Sequence, residues 1–169
     1  MSVSIRIESN LPLVQRLFKA MQQMGADPQP LLRGIAFLGE NSTRERFSSQ
    51  TGPDGQRWKP SLRVQLFGGK TLTKDGHLGD SITSTADRTS AAWGTNRIYA
   101  AIHQFGGEIK AKGTGGLRFK IGERWSNKRQ VTIPARPFLG VSADDAQDIL
   151  DLVSDHISNL VRRNAPGGA

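Results

Sequence analysis

The hydrophobic pattern changes its period along this chain, and that change most limits the folds open to it. In "SADDAQDILDLVSDHISNL" (residues 142–160), apolar residues recur every three or four positions, which is the spacing of one helix face. The segment "LRFKI" (residues 117–121) alternates instead with period two, as a strand does. Apolar residues at helical spacing also occur in the N-terminal part of the chain. We therefore predict an α+β fold with N-terminal helices, a small antiparallel β-sheet with hairpins, and a long C-terminal helix.

The N-terminal part is expected to hold one short strand and two helices. "SVSIRI" (residues 2–7) alternates as a strand, and a helix should follow from a cap at Ser9 or Asn10 to Gly25. The second helix should begin near Asp27, keep its two prolines in the first turn, and end near Phe47.

The middle of the chain is expected to form hairpins around glycine-rich turns. Strands are predicted near residues 82–86 and 91–94, and "TADRTS" should connect them. A helix capped by Asn96 should present Ile98, Ile102 and Phe105 on one face and stop at a glycine pair. Beyond it, "LRFKI" is expected to pair with "QVTI" across the loop "GERWSNKR".

The C-terminal helix carries clear signals at both ends. Ser142 followed by Asp145 has the spacing of a capping box, in which each residue bonds the backbone N–H of the other. Further aspartates lie in the first turns, and Arg162 and Arg163 lie in the last turn. These charges match the positive N-terminal and negative C-terminal ends of the helix dipole.

Length and composition indicate one domain, residues 1–164, with residues 165–169 as a flexible tail. The chain has a net charge of +8 and a pI near 10.4, which favours a polyanionic partner, nucleic acid first. It has no cysteine, which excludes disulfides and thiolate chemistry. No apolar run approaches the roughly 20 residues that span a bilayer, and no signal peptide is visible. We expect a soluble protein that is made in a cytoplasm and has no membrane partner.

Two glycine-rich segments imitate nucleotide-binding motifs without completing them. Gly69-Lys70-Thr71 resembles the end of a P-loop, but Val64 occupies the position of the required earlier glycine. In "KGTGGLR", Arg118 stands where a dinucleotide motif needs its third glycine, and a strand follows instead of a helix. The sequence therefore gives no reason to expect a nucleotide cofactor.

The sequence also gives little support for acid–base catalysis or for a metal site. His77, His103 and His156 each lack a second histidine or carboxylate at the spacing of a zinc helix. Asp144 and Asp145 form a carboxylate pair, but their place at a helix N-terminus explains them better. We predict no enzyme, no metal site and no cofactor.

Basic residues are concentrated between residues 110 and 136, and Glu123 is the only acidic residue in that range. Such a cluster gives salt-dependent affinity for phosphates without reading sequence. The alternative is a solvated hairpin with basic outer side chains. Trp125 is expected at the tip of the loop, where it can stack on a base or enter a partner protein. The predicted DNA-facing patch consists of Lys110, Lys112, Arg118, Lys120, Arg124, Lys128 and Arg129.

The segment "IPARPFLG" (residues 133–140), called the connector below, leads from the last strand to the terminal helix. Pro134 and Pro137 fix their own φ and bias the preceding residues toward extended backbone, so the connector should be stiff. Arg136, held between them, is expected to reach a neighbouring subunit or DNA. Phe138 either fills the core under the terminal helix or joins Trp125 and the connector's prolines and arginine in a subunit interface.

Four motifs in order carry a family resemblance: "RERFSSQTGPDGQRWKP", "LTKDGHLGDSI", "YAAIHQFGG" and "IPARPFLG", followed by a final helix. Together they resemble the phage virion morphogenesis family, which includes the G protein of Mu-like phages and tail-completion proteins. The resemblance extends from about residue 44 to about residue 157. The segments "RVQLFGGK" and "GTGG" match no recognisable pattern.

The resemblance implies a structural subunit without catalytic residues, located at the neck where a DNA-filled head joins the tail. It implies a homo-oligomeric ring, which we expect to be hexameric, in contact with other neck and tail proteins and, without sequence specificity, with double-stranded DNA. The protein would be made in the host bacterial cytoplasm and end in the virion. Two alternatives stay open: an autonomous nucleic-acid-binding protein that uses Arg118, Lys120, Lys128 and Arg129, and an enzyme.

Overall fold

The computed structural model describes residues 27–164, and within that range the fold is mixed α+β, as predicted. The N-terminal strand and first helix predicted above, and the C-terminal tail, lie outside the described residues. In chain order the elements are α1 (Gln29–Ser49), α2 (Leu62–Phe67), β1 (Thr83–Ala86), β2 (Ala91–Gly94), α3 (Ala100–Phe105), β3 (Gly107–Lys110), β4 (Leu117–Ile121), β5 (Arg124–Lys128), β6 (Gln130–Ile133) and α4 (Ala143–Asn164).

Helix α1 follows its sequence signals closely. The Asp27 carboxylate accepts a hydrogen bond from the Gln29 backbone N–H at 3.1 Å, and the prolines stay within the first turn, where no helical N–H is lost. The helix ends where Gln50 adopts a left-handed φ of 63° and donates its N–H to the Arg46 carbonyl at 2.8 Å. Leu31 and Ile35 on its buried face pack against α4.

Strands β1 and β2 form the predicted hairpin, which lies against α1. The contact is close because α1 has a glycine there. A Cβ added at Gly39 would lie 2.4 Å from ring atoms of Trp93, so only a glycine admits the indole at this distance. The hairpin connection is held by Asp87, whose carboxylate accepts hydrogen bonds from Thr89 and Ser90. Those bonds lower the pKa of Asp87 to about 2.

The pairing predicted for the remaining strands is wrong. Strand β4 pairs with β5, which lies inside the segment expected to be a loop, and β6 ("QVTI") pairs with β3. A two-residue turn is sufficient because Gly122 takes a φ of 59° there. Strand β5, "RWSNK", is polar at almost every position and so lacks the alternation that marks a strand. Within the described residues each sheet has two strands.

Helix α3 starts later than expected and turns a different face inward. Asn96 does not cap it: the helix begins at Ala100, and the residue in the cap position, Tyr99, makes no side-chain capping bond. Ala100 and Gln104 are its buried residues, whereas Phe105 is 68% exposed.

Helix α2 was not predicted. The Ser61 hydroxyl caps it by accepting from the Val64 N–H at 3.3 Å, and it ends at Gly68. None of its six residues is buried, although four are apolar.

Helix α4 is capped as predicted. The Ser142 hydroxyl accepts from the Asp145 N–H at 3.1 Å, and the Asp145 carboxylate accepts from the Ser142 N–H at 2.7 Å. Its buried residues Ile149 and Val153 pack against α1. A second apolar cluster lies under the connector and consists of Phe47, Trp58, Leu78, Ile82, Ala100, Phe138 and Leu139.

Candidate functional site

The connector is bound by its own chain along its whole length. Gln104 of α3, which is buried, accepts hydrogen bonds from the N–H groups of Phe138 and Leu139 at 3.0 Å each. The same amide donates to the Leu139 carbonyl at 2.9 Å. The Trp58 indole N–H donates to the Pro137 carbonyl at 2.8 Å. Backbone groups of the connector that have no strand partner are thus satisfied by side chains, as buried polar groups require.

Arg46 of α1 binds both the connector and α4. Its guanidinium donates to the carbonyls of Phe138 at 2.9 Å and Gly140 at 3.0 Å, and to the Asp145 carboxylate. The Ser42 hydroxyl completes the cluster by bonding both charged groups. Arg46 is 5% exposed and Asp145 is 7% exposed, so this is a buried ion pair whose polar atoms have several partners.

The pKa values of this pair reflect two opposing effects, namely burial and the interactions that each charged group makes. Burial lowers the pKa of Arg46, against the opposing effect of the Asp145 charge. Burial alone would raise the pKa of Asp145. Hydrogen bonds from Ser142 and Ser42, together with the Arg46 charge, outweigh it and hold the pKa below its ordinary value. The lowered pKa favours the ionised carboxylate of Asp145, and an arginine guanidinium stays protonated in proteins.

Sequence reasoning found half of this cluster. The capping-box spacing identified Asp145, but nothing local marked Arg46, because arginine on a helix is usually exposed. Its position beside Phe47 in the buried stripe of α1 was the available signal.

The predicted interface residues of the connector need correction. Phe138 is fully buried in the core. Arg136 is 5% exposed, and its Nε donates to the Lys59 carbonyl at 2.7 Å, so it reaches neither outward nor toward DNA. Both side chains are already enclosed within their own chain and therefore offer no surface to a neighbour. Pro134 and Pro137 are half-buried, and their place in an interface stays a prediction.

The predicted basic patch is exposed but lies on more than one face. In antiparallel strands, directly opposed residues project to the same side. The pairing Lys120 with Trp125 puts both on one face of the β4–β5 hairpin, and Arg118 follows on that face by period two. Arg124 lies on the opposite face. Lys128 shares that opposite face, while Lys110 ends β3, Lys112 follows it, and Arg129 lies between β5 and β6.

Trp125 does not form the tip of a loop; it is the second residue of β5. Its side chain is 66% exposed, and the Arg118 guanidinium lies 5.4 Å from the ring centroid, within the range of a cation–π contact. The turn at Gly122 lies against Phe67 of α2, because a Cβ there would approach that ring to 2.3 Å. The hairpin thus presents an indole already stacked on an arginine. The assignment of this face to DNA or to a subunit stays a prediction.

Within residues 27–164, no group of three or more histidine or acidic side chains is arranged to hold a metal ion. Over the same range, no helix is both long and apolar enough to cross a membrane. The two carboxylates considered for acid–base catalysis lie in different environments. Asp145 belongs to the buried cluster, whereas Asp144 faces solvent.

Comparison with known proteins defines the class. The phage virion morphogenesis family model matches residues 10–158, and the chain belongs to that family. The chain is 33% identical over 159 residues to the Mu-like prophage FluMu G protein 2 of Haemophilus influenzae, covering 92% of this chain and 99% of that protein. It is 28% identical over 163 residues to the putative capsid assembly protein G of Escherichia phage Mu, covering 89% and 94%. No solved structure matches the chain significantly.

Proposed function

We propose that this chain is a structural subunit of a tailed-phage particle that forms a ring, hexameric in our expectation, at the head–tail junction. In this role it joins or completes the tail, contacts neighbouring neck and tail proteins, and lets DNA pass. The family match supports a part in building the particle, and the names of the G protein relatives point the same way. The role needs no catalytic residue and no cofactor.

The observation that carries the proposal is helix α2. Its sequence "LRVQLF" is largely apolar, yet Leu62, Leu66 and Phe67 are between 51% and 61% exposed. An isolated six-residue helix is marginal in water, since most helical stability comes from packing of an apolar face. The adjoining hairpin adds Trp125, so one region displays several large apolar side chains. Clustered exposed apolar groups mark interaction sites, which is what a ring subunit needs.

Solution mass and particle morphology test this proposal. We expect sedimentation to give a discrete multiple of the subunit mass, and class averages of negatively stained particles to show closed rings. Disruption of the gene should leave DNA-filled heads and separate tails. Normal infectious particles from that disruption would refute the role in joining. A stable monomer that binds duplex DNA at sub-micromolar affinity in physiological salt would instead favour the autonomous nucleic-acid-binding protein.

The exposed cations support a second element of the role, namely weak contact with DNA that passes through the ring. Because the hairpin displays cations on two faces, we expect only one face to look into the lumen. Replacing Arg124 and Lys128 by glutamine, or Arg118 and Lys120 by glutamine, separates the faces. The lumen-facing pair should reduce the slope of log affinity against log salt by about two units, since each phosphate contact contributes about 0.9. Equal slopes in all three proteins would exclude a DNA contact by this hairpin.

A further inference from the structure

An open groove lies along α1 and the N-terminal half of α4. Its volume is about 680 Å³, and it includes the apolar side chains Phe37, Leu38 and Leu152 beside Gly34. Phe37 is 60% exposed, which is unusual for a phenylalanine on an otherwise packed helix. These side chains form an apolar part of a groove whose remaining lining is largely polar, and the groove is large enough for an aromatic side chain and its neighbours.

Carboxylates surround that groove. Asp144 and Asp148 line it from α4, and Glu45 lines it from α1. Asp144, Asp148, Asp151 and Asp155 are all exposed and follow one another at spacings of four, three and four residues, which puts them on one helix face. Among the ion pairs of residues 27–164, none involves these four carboxylates.

The β4–β5 hairpin has complementary chemistry. One face carries Trp125 stacked against Arg118, with Lys120 directly opposite the indole across the strands. Tryptophan and arginine are the residues most enriched at the energetic centres of protein interfaces. Within residues 27–164, this hairpin has no third strand beside it, so its edges also lack a sheet neighbour.

We propose that the Trp125 face of the hairpin of one copy docks into the α1–α4 groove of a second copy. Trp125 would pack on the apolar part of the groove beside Phe37, while Arg118 and Lys120 would face the aspartates of α4. This inference rests on the ring proposed above and names its subunit contact. The two surfaces differ, so the interface is heterologous, the type that generates rings when its rotation closes. Opposite charges would speed association and select this register.

Charge reversal provides the first test. We expect the hairpin variant Arg118→Glu/Lys120→Glu and the groove variant Asp148→Lys/Asp151→Lys each to sediment as monomers, since each meets a like-charged surface. An equimolar mixture should recover rings, because the reversed hairpin of one variant suits the reversed groove of the other and their native surfaces also match. The control Arg88→Glu/Arg97→Glu reverses two exposed cations outside both surfaces and should leave the assembly intact. Circular dichroism melting verifies folding of every variant.

Cysteine cross-linking provides the second test, which the cysteine-free chain makes clean. A mixture of Glu123→Cys, at the hairpin turn, with Asn41→Cys, in the groove, should give a covalent dimer with a short bis-maleimide. The double variant should give a ladder that ends at the copy number of the ring. Glu123→Cys mixed with Val161→Cys is the control, because Val161 lies about 20 Å along α4 from Asp148 and should not react.

The outcomes separate this inference from the ring itself. Rings that tolerate both charge reversals and give no cross-link would overturn the docking contact and leave the ring standing. A specific cross-link between copies without a ring mass would support the contact and refute the ring. Loss of DNA binding in the hairpin variant, with unchanged mass and no cross-link, would make the hairpin a DNA surface and overturn the contact. Absence of both cross-link and oligomer would refute both proposals.

Discussion

The buried ion pair of Arg46 and Asp145 makes a quantitative prediction about Arg46→Met. Methionine fills much of the same space but leaves the Asp145 carboxylate without its cation and the carbonyls of Phe138 and Gly140 without a donor. Breaking a buried pair by removing one partner costs about 3–5 kcal/mol, because the remaining charge stays desolvated. Each orphaned carbonyl adds about 1–3 kcal/mol if water does not replace the donor. These terms overlap, so we expect a total near 4 kcal/mol.

That loss is large against the roughly 5–15 kcal/mol that holds a typical domain folded. It should lower the melting temperature by about 8–16 °C, at about 2–4 °C per kcal/mol for a chain of this length. Urea unfolding followed by tryptophan fluorescence measures the midpoint and slope. Arg33→Met is the matched control, since Arg33 lies on the exposed side of the same helix, and it should change stability by about 0.5 kcal/mol or less. A cost below about 1 kcal/mol for Arg46→Met would show that the pair does not stabilise the fold as argued.

Three further predictions concern the packing around the connector. Gly39→Ala pushes a methyl group into the Trp93 ring and should cost about 1–3 kcal/mol in urea unfolding, whereas Gly113→Ala has open space and should be close to neutral. Gln104→Leu removes the partner of three buried backbone groups and should cost about 2–4 kcal/mol by the same assay; a neutral result would mean that water replaces the amide. Burial, with a smaller effect of a nearby arginine, lowers the pKa of His103, so the folded state resists its protonation. Stability from this group should be complete above about pH 6.5 and fall below it, and His103→Gln should show a smaller loss of unfolding midpoint between about pH 8 and about pH 5.5.

The sequence predicted features whose cause is local. The Ser142 capping box, the extent of α1 and the β1–β2 hairpin each depend on residues a few positions apart, and each was confirmed. Strand β6 pairs with β3, which is distant in sequence, so its partner cannot be read from local signals. Strand β5 pairs with its neighbour β4 and is missed for a different reason. A polar strand such as β5 carries no hydrophobic alternation from which its pairing can be read.

The local sequence of the connector also does not determine which way its side chains point. The two prolines predict a stiff, extended segment, because their effect on φ is intrinsic, and this stays a prediction. Phe138 points inward where Gln104 and Arg46 bind its backbone, and Arg136 points inward where it binds the Lys59 carbonyl. All three partners come from segments tens of residues earlier in the chain. No pattern within "IPARPFLG" distinguishes a segment that binds a neighbour from one that is bound by its own core.

The buried cluster and the proposed docking contact are connected by geometry. The groove is lined in part by Arg46 and Asp145, the same residues that fix the start of α4 to α1 and to the connector. The connector follows β6 directly along the chain. Strand β6 pairs with β3, and β3 directly follows α3. A heterologous contact closes into a ring only if every copy holds its two surfaces at one fixed angle; otherwise the same contact propagates as an open filament. A polar core with many directional bonds specifies one arrangement more strictly than apolar packing does. We therefore expect this ion pair, which is buried within the subunit, to matter for ring closure as well as for folding.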